Sequence, residues 1–113
     1  MKPIFWVASA KDDLDGMPAT VQDTFGFALH VAQAGYKHPD AKSLKGFGGA
    51  GVLEVVESWQ GSAYRAVYTL KVADAVYVLH CFQKKSTKGE ETPQPDMELI
   101  RDRLKFVLSH TKD

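Results

Sequence analysis

The strongest constraint on the fold is a set of three apolar runs that follow one another with very little chain between them. The runs are Val52–Trp59, Ala63–Lys71 and Ala75–Phe82, and three residues separate each run from the next. Such short connections suit hairpin turns, whereas a parallel pair needs a much longer crossover. The last run, AVYVLHCF, is apolar at both alternating positions, which is typical of a central strand covered on both sides. The sequence therefore predicts a three-stranded antiparallel meander.

Helical patterns lie on both sides of this meander. Pro18 suits a first helical position and Gly35 suits a left-handed ending, which predicts a helix over 18–34. After the meander, Thr92 can cap a helix in which Pro93 takes the first position. The apolar stripe of the first helix is Val21, Phe25, Ala28, Leu29 and Ala32, and that of the second is Met97, Ile100, Leu104, Val107 and Leu108.

The remaining segments complete a β-α-α-β-β-β-α order. Ile4–Ser9 reads as a short strand, Lys11–Leu14 as a brief helical turn, and 36–51 as a loop rich in glycine and polar residues. Because the sheet strands are consecutive, the fold class is α+β. We expect a small, curled antiparallel sheet with helices on one face and a C-terminal helix, forming a single domain over residues 1–113.

The cysteine count and the N-terminal sequence indicate the cellular compartment. Cys81 is the single cysteine, so no internal disulfide can form. The apolar run near the N-terminus is short and is followed by Lys11, Asp12 and Asp13, which does not fit a signal peptide or a membrane span. We therefore expect a cytoplasmic protein with no membrane partner.

Several residues that often mark a functional site have a simpler structural interpretation. The loop GFGGAG over 46–51 precedes a strand, whereas a phosphate-binding loop should follow a strand and open a helix, so its glycines are expected to bend the chain. Neither an HExxH motif nor a Cys/His cluster is present, and no metal or cofactor is implied. His80 and Cys81 lie in the central strand, where both are expected to be core residues.

Basic residues form the remaining candidate site. Arg65 lies in the middle of a strand, where a cation must be paired or face a cleft. Lys84 and Lys85 end the next strand, so antiparallel pairing can bring all three cations to one rim of the sheet. Such a group can bind a phosphate, and one lysine can act as a proton acceptor. The alternative is that Arg65 pairs with Glu54 or Glu57 across the preceding strand.

The order of several short motifs resembles the RelE/ParE toxin superfamily of bacterial toxin–antitoxin systems, in particular its phage-related, HigB-like branch. The segments that carry the resemblance are QAGYKHP, SLKGFGGAGVLEVVES, AYRAVYTL, AVYVLHCFQKKSTK and TPQPDMELIRDRL, which cover most of the chain. The resemblance implies an mRNA interferase, an endoribonuclease that acts on ribosome-bound message. It also implies neutralisation by a small helix-turn-helix antitoxin protein.

The resemblance also implies roles for individual residues. Arg65 matches the arginine of the "YR" strand and would contact the scissile phosphate. Lys84 and Lys85 match the "F-x-KK" strand end and would stabilise the transition state or act as general acid and base. Lys45 matches the "LKG" loop and is assigned to RNA-backbone contact, with Lys88 as a further RNA contact. No cofactor is needed, because lysine and arginine can supply the positive charge.

Three departures from the family pattern keep other functions open. Val56 stands where the branch often has an arginine, and the formal net charge is zero. The segment between Lys85 and the last helix is also longer than in the family pattern. Phosphate contacts supply most of the affinity of nucleic-acid-binding proteins, so a neutral chain is atypical. One alternative is a non-catalytic ParE-like toxin that binds DNA gyrase. Another is an inactive relict that only binds its antitoxin or represses its own operon.

Overall fold

A computed structural model describes residues 1–49, 51–84 and 91–111 of the chain. Within these residues the chain forms three helices and five strands. In chain order they are β1 (Ile4–Trp6), α1 (Ala10–Asp15), α2 (Ala19–Gln33), β2 (Lys42–Ser43), β3 (Val52–Trp59), β4 (Ser62–Val72), β5 (Ala75–Lys84) and α3 (Gln94–His110).

The five strands form one sheet in the order β1-β5-β4-β3-β2. Strands β2 to β5 pair antiparallel with their neighbours, while β1 lies parallel to β5. Both turns of the meander have positive φ at their two central residues, 47° and 80° at Gln60 and Gly61 and 51° and 52° at Ala73 and Asp74. This is the hairpin geometry whose twist matches that of the strands. The predicted α+β class and antiparallel meander are confirmed, and β1 makes the sheet mixed.

The observed strands are close to the predicted runs. β3 has the predicted bounds, and β4 extends to Ser62 and Val72. β5 extends beyond the apolar run to Lys84, which ends the strand as predicted. The loop predicted over 36–51 contains the two-residue strand β2, which pairs with Leu53 and Glu54 of β3.

The ends of α2 follow from its sequence. Pro18 has φ −56° and ψ 147° and flanks the helix. The helix therefore begins at Ala19, one residue after the predicted first position. At the other end Gly35 has φ 93°. The Gly35 N–H donates to the Ala32 carbonyl and the Tyr36 N–H donates to the Val31 carbonyl, each at 3.0 Å. This pair of bonds is a Schellman motif, which confirms the predicted left-handed ending.

The sheet is covered on both faces. Helices α1 and α2 cover one face, burying Leu14, Val21, Phe25, Leu29, Leu53, Val55, Tyr68, Val76 and Val78. Helix α3 packs on the other, here called the α3 face, burying Val52, Val67, Leu79, Phe82, Ile100, Leu104 and Val107. No helix in the described ranges is long and apolar enough to cross a membrane.

Candidate functional site

Arg65 is a buried cation on the α3 face of the sheet. It lies opposite Val56 on one side and Phe82 on the other, and it is 4% exposed. Its Nη1 donates to Oε1 of Glu54 at 3.0 Å, and the Glu54 side chain is also largely buried. A guanidinium at this depth needs a compensating charge. The cross-strand ion pair with Glu54, one of the two partners predicted as the alternative, is therefore present.

Thr92 links this ion pair to the start of α3. Its hydroxyl donates to Oε2 of Glu54 at 2.8 Å and accepts a longer bond of 3.4 Å from Nη1 of Arg65. The prediction that Thr92 caps α3 is wrong, because Pro93 flanks the helix and no side-chain cap bond forms. The hydroxyl instead fixes the chain entering α3 to the buried carboxylate on β3.

Lys84 lies on the same face and meets the same segment. It is opposite Ala63, two positions along β4 from Arg65, so the two cations are diagonal neighbours. Such neighbours lie roughly 7–8 Å apart, and their Cβ atoms are somewhat closer. Lys84 is 7% exposed, and its Nζ donates to the carbonyl of Glu91 at 2.8 Å. Arg65 and Lys84 are thus neighbours in the structure, and both contact the segment formed by Glu91 and Thr92.

A cleft of about 350 Å³ opens beside Arg65. Its lining residues are Pro39, Asp40, Lys42, Glu54, Val56 and Arg65. Lys42 is exposed and lies opposite Glu54 in the β2–β3 pair, so it adds a cation to the cleft. Sequence reasoning missed Lys42 because β2 is only two residues long, and a strand of that length has no detectable alternation.

The other predicted basic residues are not part of this group. Lys45 is exposed in the chain after β2, where the Leu44 N–H donates to the carbonyl of Val52. That position is four residues along β3 from Val56, about 13 Å at ~3.3 Å per residue. Lys45 therefore lies toward the other end of the sheet. Lys85 and Lys88 fall outside the described residues.

His80 and Cys81 are buried, as predicted, at 7% and 1% exposure. His80 Nε2 lies 2.8 Å from Oδ1 of Asp96 in the first turn of α3. Burial lowers the pKa of His80 below its usual 6.5, although the hydrogen bond and charge of Asp96 oppose the shift. Burial also raises the pKa of the Cys81 thiol to about 12, so this thiol is not an activated nucleophile.

Two further kinds of candidate site are a metal centre and a reactive tyrosine. In the part of the chain that the structure describes, no group of three or more His, Cys, Asp or Glu side chains is placed to hold a metal ion. The Tyr68 hydroxyl is fully buried, and burial raises its pKa to about 12. Arg65 and Glu54 line the cleft of about 350 Å³, and Lys84 is the diagonal neighbour of Arg65.

Comparison with known families finds a match over most of the chain. The family model described as "Phage derived protein Gp49-like", a domain of unknown function, matches residues 12–105. The matched range runs from α1 into α3 and includes Glu54, Arg65, Lys84 and Thr92. A search of curated proteins finds no match to the chain. Because the match covers most of the chain, the protein belongs to the phage-derived Gp49-like family, a toxin-like family associated with toxin–antitoxin systems, whose membership implies an antitoxin partner.

Proposed function

We propose that the protein is the toxin of a toxin–antitoxin pair and acts as an endoribonuclease on mRNA, in association with the ribosome. The observation that carries the proposal is the convergence of Arg65 and Lys84 on one sheet face, next to a cleft that Lys42 also lines. An arginine fork and a lysine within reach of one phosphodiester are suited to binding it and to stabilising charge that develops on it. The partner proposed to restrain this activity is a helix-turn-helix antitoxin.

The proposed reaction is an attack of a ribose 2′-oxygen on the adjacent phosphorus. The O2′–P bond forms while the P–O5′ bond breaks, which leaves a 2′,3′-cyclic phosphate and a 5′-hydroxyl end. A base removes the proton of the 2′-hydroxyl, and an acid gives a proton to the departing O5′. Arg65 is proposed to bind the phosphate, and Lys84 and Lys85 to supply the stabilising charge and the proton transfers. Lys45, Lys88 and the newly recognised Lys42 are proposed to contact the RNA backbone.

The contacts of the two cations define what substrate binding requires. Arg65 is neutralised by Glu54, and Lys84 is covered by the carbonyl of Glu91. We infer that a phosphodiester touching both cations displaces the contacts made by Glu91 and Thr92. The cleft provides the approach on the Arg65 side, with the exposed Lys42 at its border.

Growth and RNA integrity after induced expression test this proposal. We expect the native chain to arrest growth and to cut message, and a variant with Arg65→Ala and Lys84→Ala to do neither. Lys105→Met is the matched control, because Lys105 is an exposed cation on α3 away from the cleft. Soluble protein levels and far-UV circular dichroism must be equal for all three chains. Unchanged toxicity of the double variant would remove these residues from the mechanism.

A second candidate is a toxin that binds its target without chemistry, such as DNA gyrase. It is favoured by the closed Arg65–Glu54 pair and by Val56, which puts an apolar side chain in the cleft where related toxins often carry an arginine. Gyrase-linked DNA breaks and an SOS response with intact mRNA would select this function. Full growth despite abundant folded protein would select a chain that only binds its antitoxin.

A further inference from the structure

Phe27 is an aromatic residue of α2 that stays exposed to solvent. It is 58% exposed, whereas the other large apolar residues of this helix are buried or half-buried. A helix that docks into the groove of a partner protein presents apolar residues at spacings of three, four and seven. At the exposed positions three and four residues from Phe27, α2 carries His30 and Asp23. Phe27 is therefore a single exposed ring rather than part of an apolar helix face.

His38 packs against this ring from the segment that follows α2. The two ring centroids are 5.7 Å apart and the ring planes meet at 83°, which is an edge-to-face contact. In such a contact each ring keeps at least one face that the other does not cover. The Asp40 N–H donates to Nδ1 of His38 at 3.1 Å, and the Ala41 N–H donates to its carbonyl at 2.9 Å. These two bonds hold His38 in a turn, so the Phe27–His38 pair is a preformed aromatic surface.

The turn that holds His38 also forms one wall of the cleft beside Arg65. Pro39 and Asp40, the next two residues after His38, line this cleft of about 350 Å³. The Phe27–His38 pair therefore borders the cleft in which a phosphodiester is proposed to bind.

Two exposed lysines flank this border. Lys37 precedes His38 and Lys42 follows the turn, and neither forms an ion pair with another described residue. Asp40 is the one carboxylate between them in the chain. Proteins that bind single-stranded nucleic acid combine cations, which follow the phosphates, with aromatic rings on which the bases stack. The surroundings of the Phe27–His38 pair match this combination.

We propose that the Phe27–His38 pair stacks with a base of single-stranded RNA whose backbone lies in the cleft. The inference rests on the proposed function, because it takes the phosphodiester beside Arg65 to belong to RNA. Phosphate contacts position a nucleic acid but carry no base information, whereas stacking requires an unpaired base. The pair therefore fixes the position of a neighbouring nucleotide and restricts the substrate to unpaired RNA.

Two RNA mimics of equal charge separate base stacking from phosphate binding. One is a hexamer of 2′-O-methyladenosine, which cannot be cleaved because it lacks the attacking hydroxyl. The other has the same number of phosphates but carries tetrahydrofuran spacers in place of nucleosides, so it has no base. Fluorescence anisotropy of the end-labelled oligomers, titrated with the full chain, gives both dissociation constants. We expect the adenine hexamer to bind about tenfold more tightly than the spacer oligomer.

Substitutions of Phe27 test the ring itself. Phe27→Ala should weaken binding of the adenine hexamer about tenfold and leave the spacer oligomer unchanged. Phe27→Leu should behave in the same way, because leucine keeps an apolar surface but has no aromatic face, while Phe27→Trp should bind as tightly as the native chain.

Phe106→Ala is the matched control. Phe106 is 57% exposed and also stacks with a histidine, but no residue of α3, which the structure describes in full, lines the cleft. Its substitution should change the binding of neither oligomer.

Proton signals of the bound adenine report on the contact directly. Stacking on an aromatic ring moves the H2 and H8 signals of the base upfield. This shift should appear with the native chain and with Phe106→Ala and should be absent with Phe27→Ala, which a merely structural role of Phe27 does not predict.

Lys42→Ala separates failure of this inference from failure of the proposed function. Lys42 is an exposed cation of the cleft, so its removal should weaken both oligomers by the same factor. If Lys42→Ala weakens binding and Phe27→Ala does not, the stacking site is wrong while RNA binding at the cleft stands. If the native chain binds neither oligomer, RNA is not the ligand and both proposals fail. Weaker binding of the spacer oligomer by Phe27→Ala, or loss of antitoxin binding alone in that variant, would also overturn base stacking.

Discussion

Replacing Glu54 with glutamine should lower the free energy of unfolding by about 4 kcal/mol. The Arg65 and Glu54 side chains are 5% and 11% exposed, and their nearest atoms lie 3.0 Å apart. Two unit charges about 4 Å apart interact by about 4 kcal/mol at an effective dielectric constant of ~20. Removing one partner of a buried pair is measured to cost about 3–5 kcal/mol, because the other, still buried charge loses the compensation that this partner supplied. Glutamine keeps the size of the side chain, so the loss reports on charge rather than on packing.

Urea unfolding followed by far-UV circular dichroism measures this loss. For a slope of about 2 kcal/mol per molar urea, the midpoint should fall by about 2 M. Glu57→Gln is the matched control, because Glu57 lies on the same strand and forms no ion pair among the described residues. The control should change stability by less than about 0.5 kcal/mol.

A double variant identifies the source of the effect. Glu54→Leu combined with Arg65→Met replaces both charges by apolar groups, and such replacements of buried pairs are often neutral or stabilising. The double variant should therefore recover most of the stability that Glu54→Gln loses. If Glu54→Gln unfolds at the same urea concentration as Glu57→Gln, the pair is effectively solvated and the electrostatic reasoning is wrong.

Three further predictions concern the surroundings of this pair. Thr92→Val removes the hydroxyl bonded to Glu54 and should cost about 1–2 kcal/mol in the same urea assay, while Thr92→Ser should retain most of the stability; equal losses would contradict the hydrogen bond. Because the pKa of His80 is lowered in the folded chain, the unfolded chain binds the proton first, so stability should decrease as the pH falls below about 6.5 and His80→Gln should flatten that decrease. An unchanged slope in His80→Gln would assign the pH dependence to other groups. Cys81, with its thiol buried and its pKa raised to about 12, should react with an aromatic disulfide reagent only when the chain unfolds, and fast labelling of the native protein would contradict its burial.

The parts of the fold that sequence reasoning predicted are those set by local patterns. The meander follows from three apolar runs with short turns, and α2 follows from its helical stripe and from Gly35 at its end. The signals of the meander lie within 52–82 and those of α2 within 18–35, so each element can be predicted from one short stretch of the chain. The parallel pairing of β1 with β5 has no such signal, because it joins segments about 70 residues apart.

The candidate site was only partly predictable for the same reason. The position of Arg65 in the middle of a strand predicted that it faces a cleft or is paired, and pairing with Glu54 or Glu57 was the alternative. The structure contains the pair with Glu54. The contact of Thr92 with Glu54 spans 38 residues, and its local sequence favoured a helix cap instead. Lys42 lines the cleft but lies on a strand that is too short to show a hydrophobic pattern in the sequence.

The chemistry of new RNA ends tests the proposed function most directly. Attack by the 2′-oxygen leaves a hydroxyl on each new 5′ end, whereas cleavage by activated water commonly leaves a phosphate there. Shortly after induction of the native chain, RNA sequencing restricted to 5′-hydroxyl ends should show new cuts within messages. These cuts should vanish for the Arg65→Ala, Lys84→Ala variant and persist for Lys105→Met. Growth arrest without new 5′-hydroxyl ends, or the same ends from the double variant, would contradict the assignment of this site to RNA cleavage.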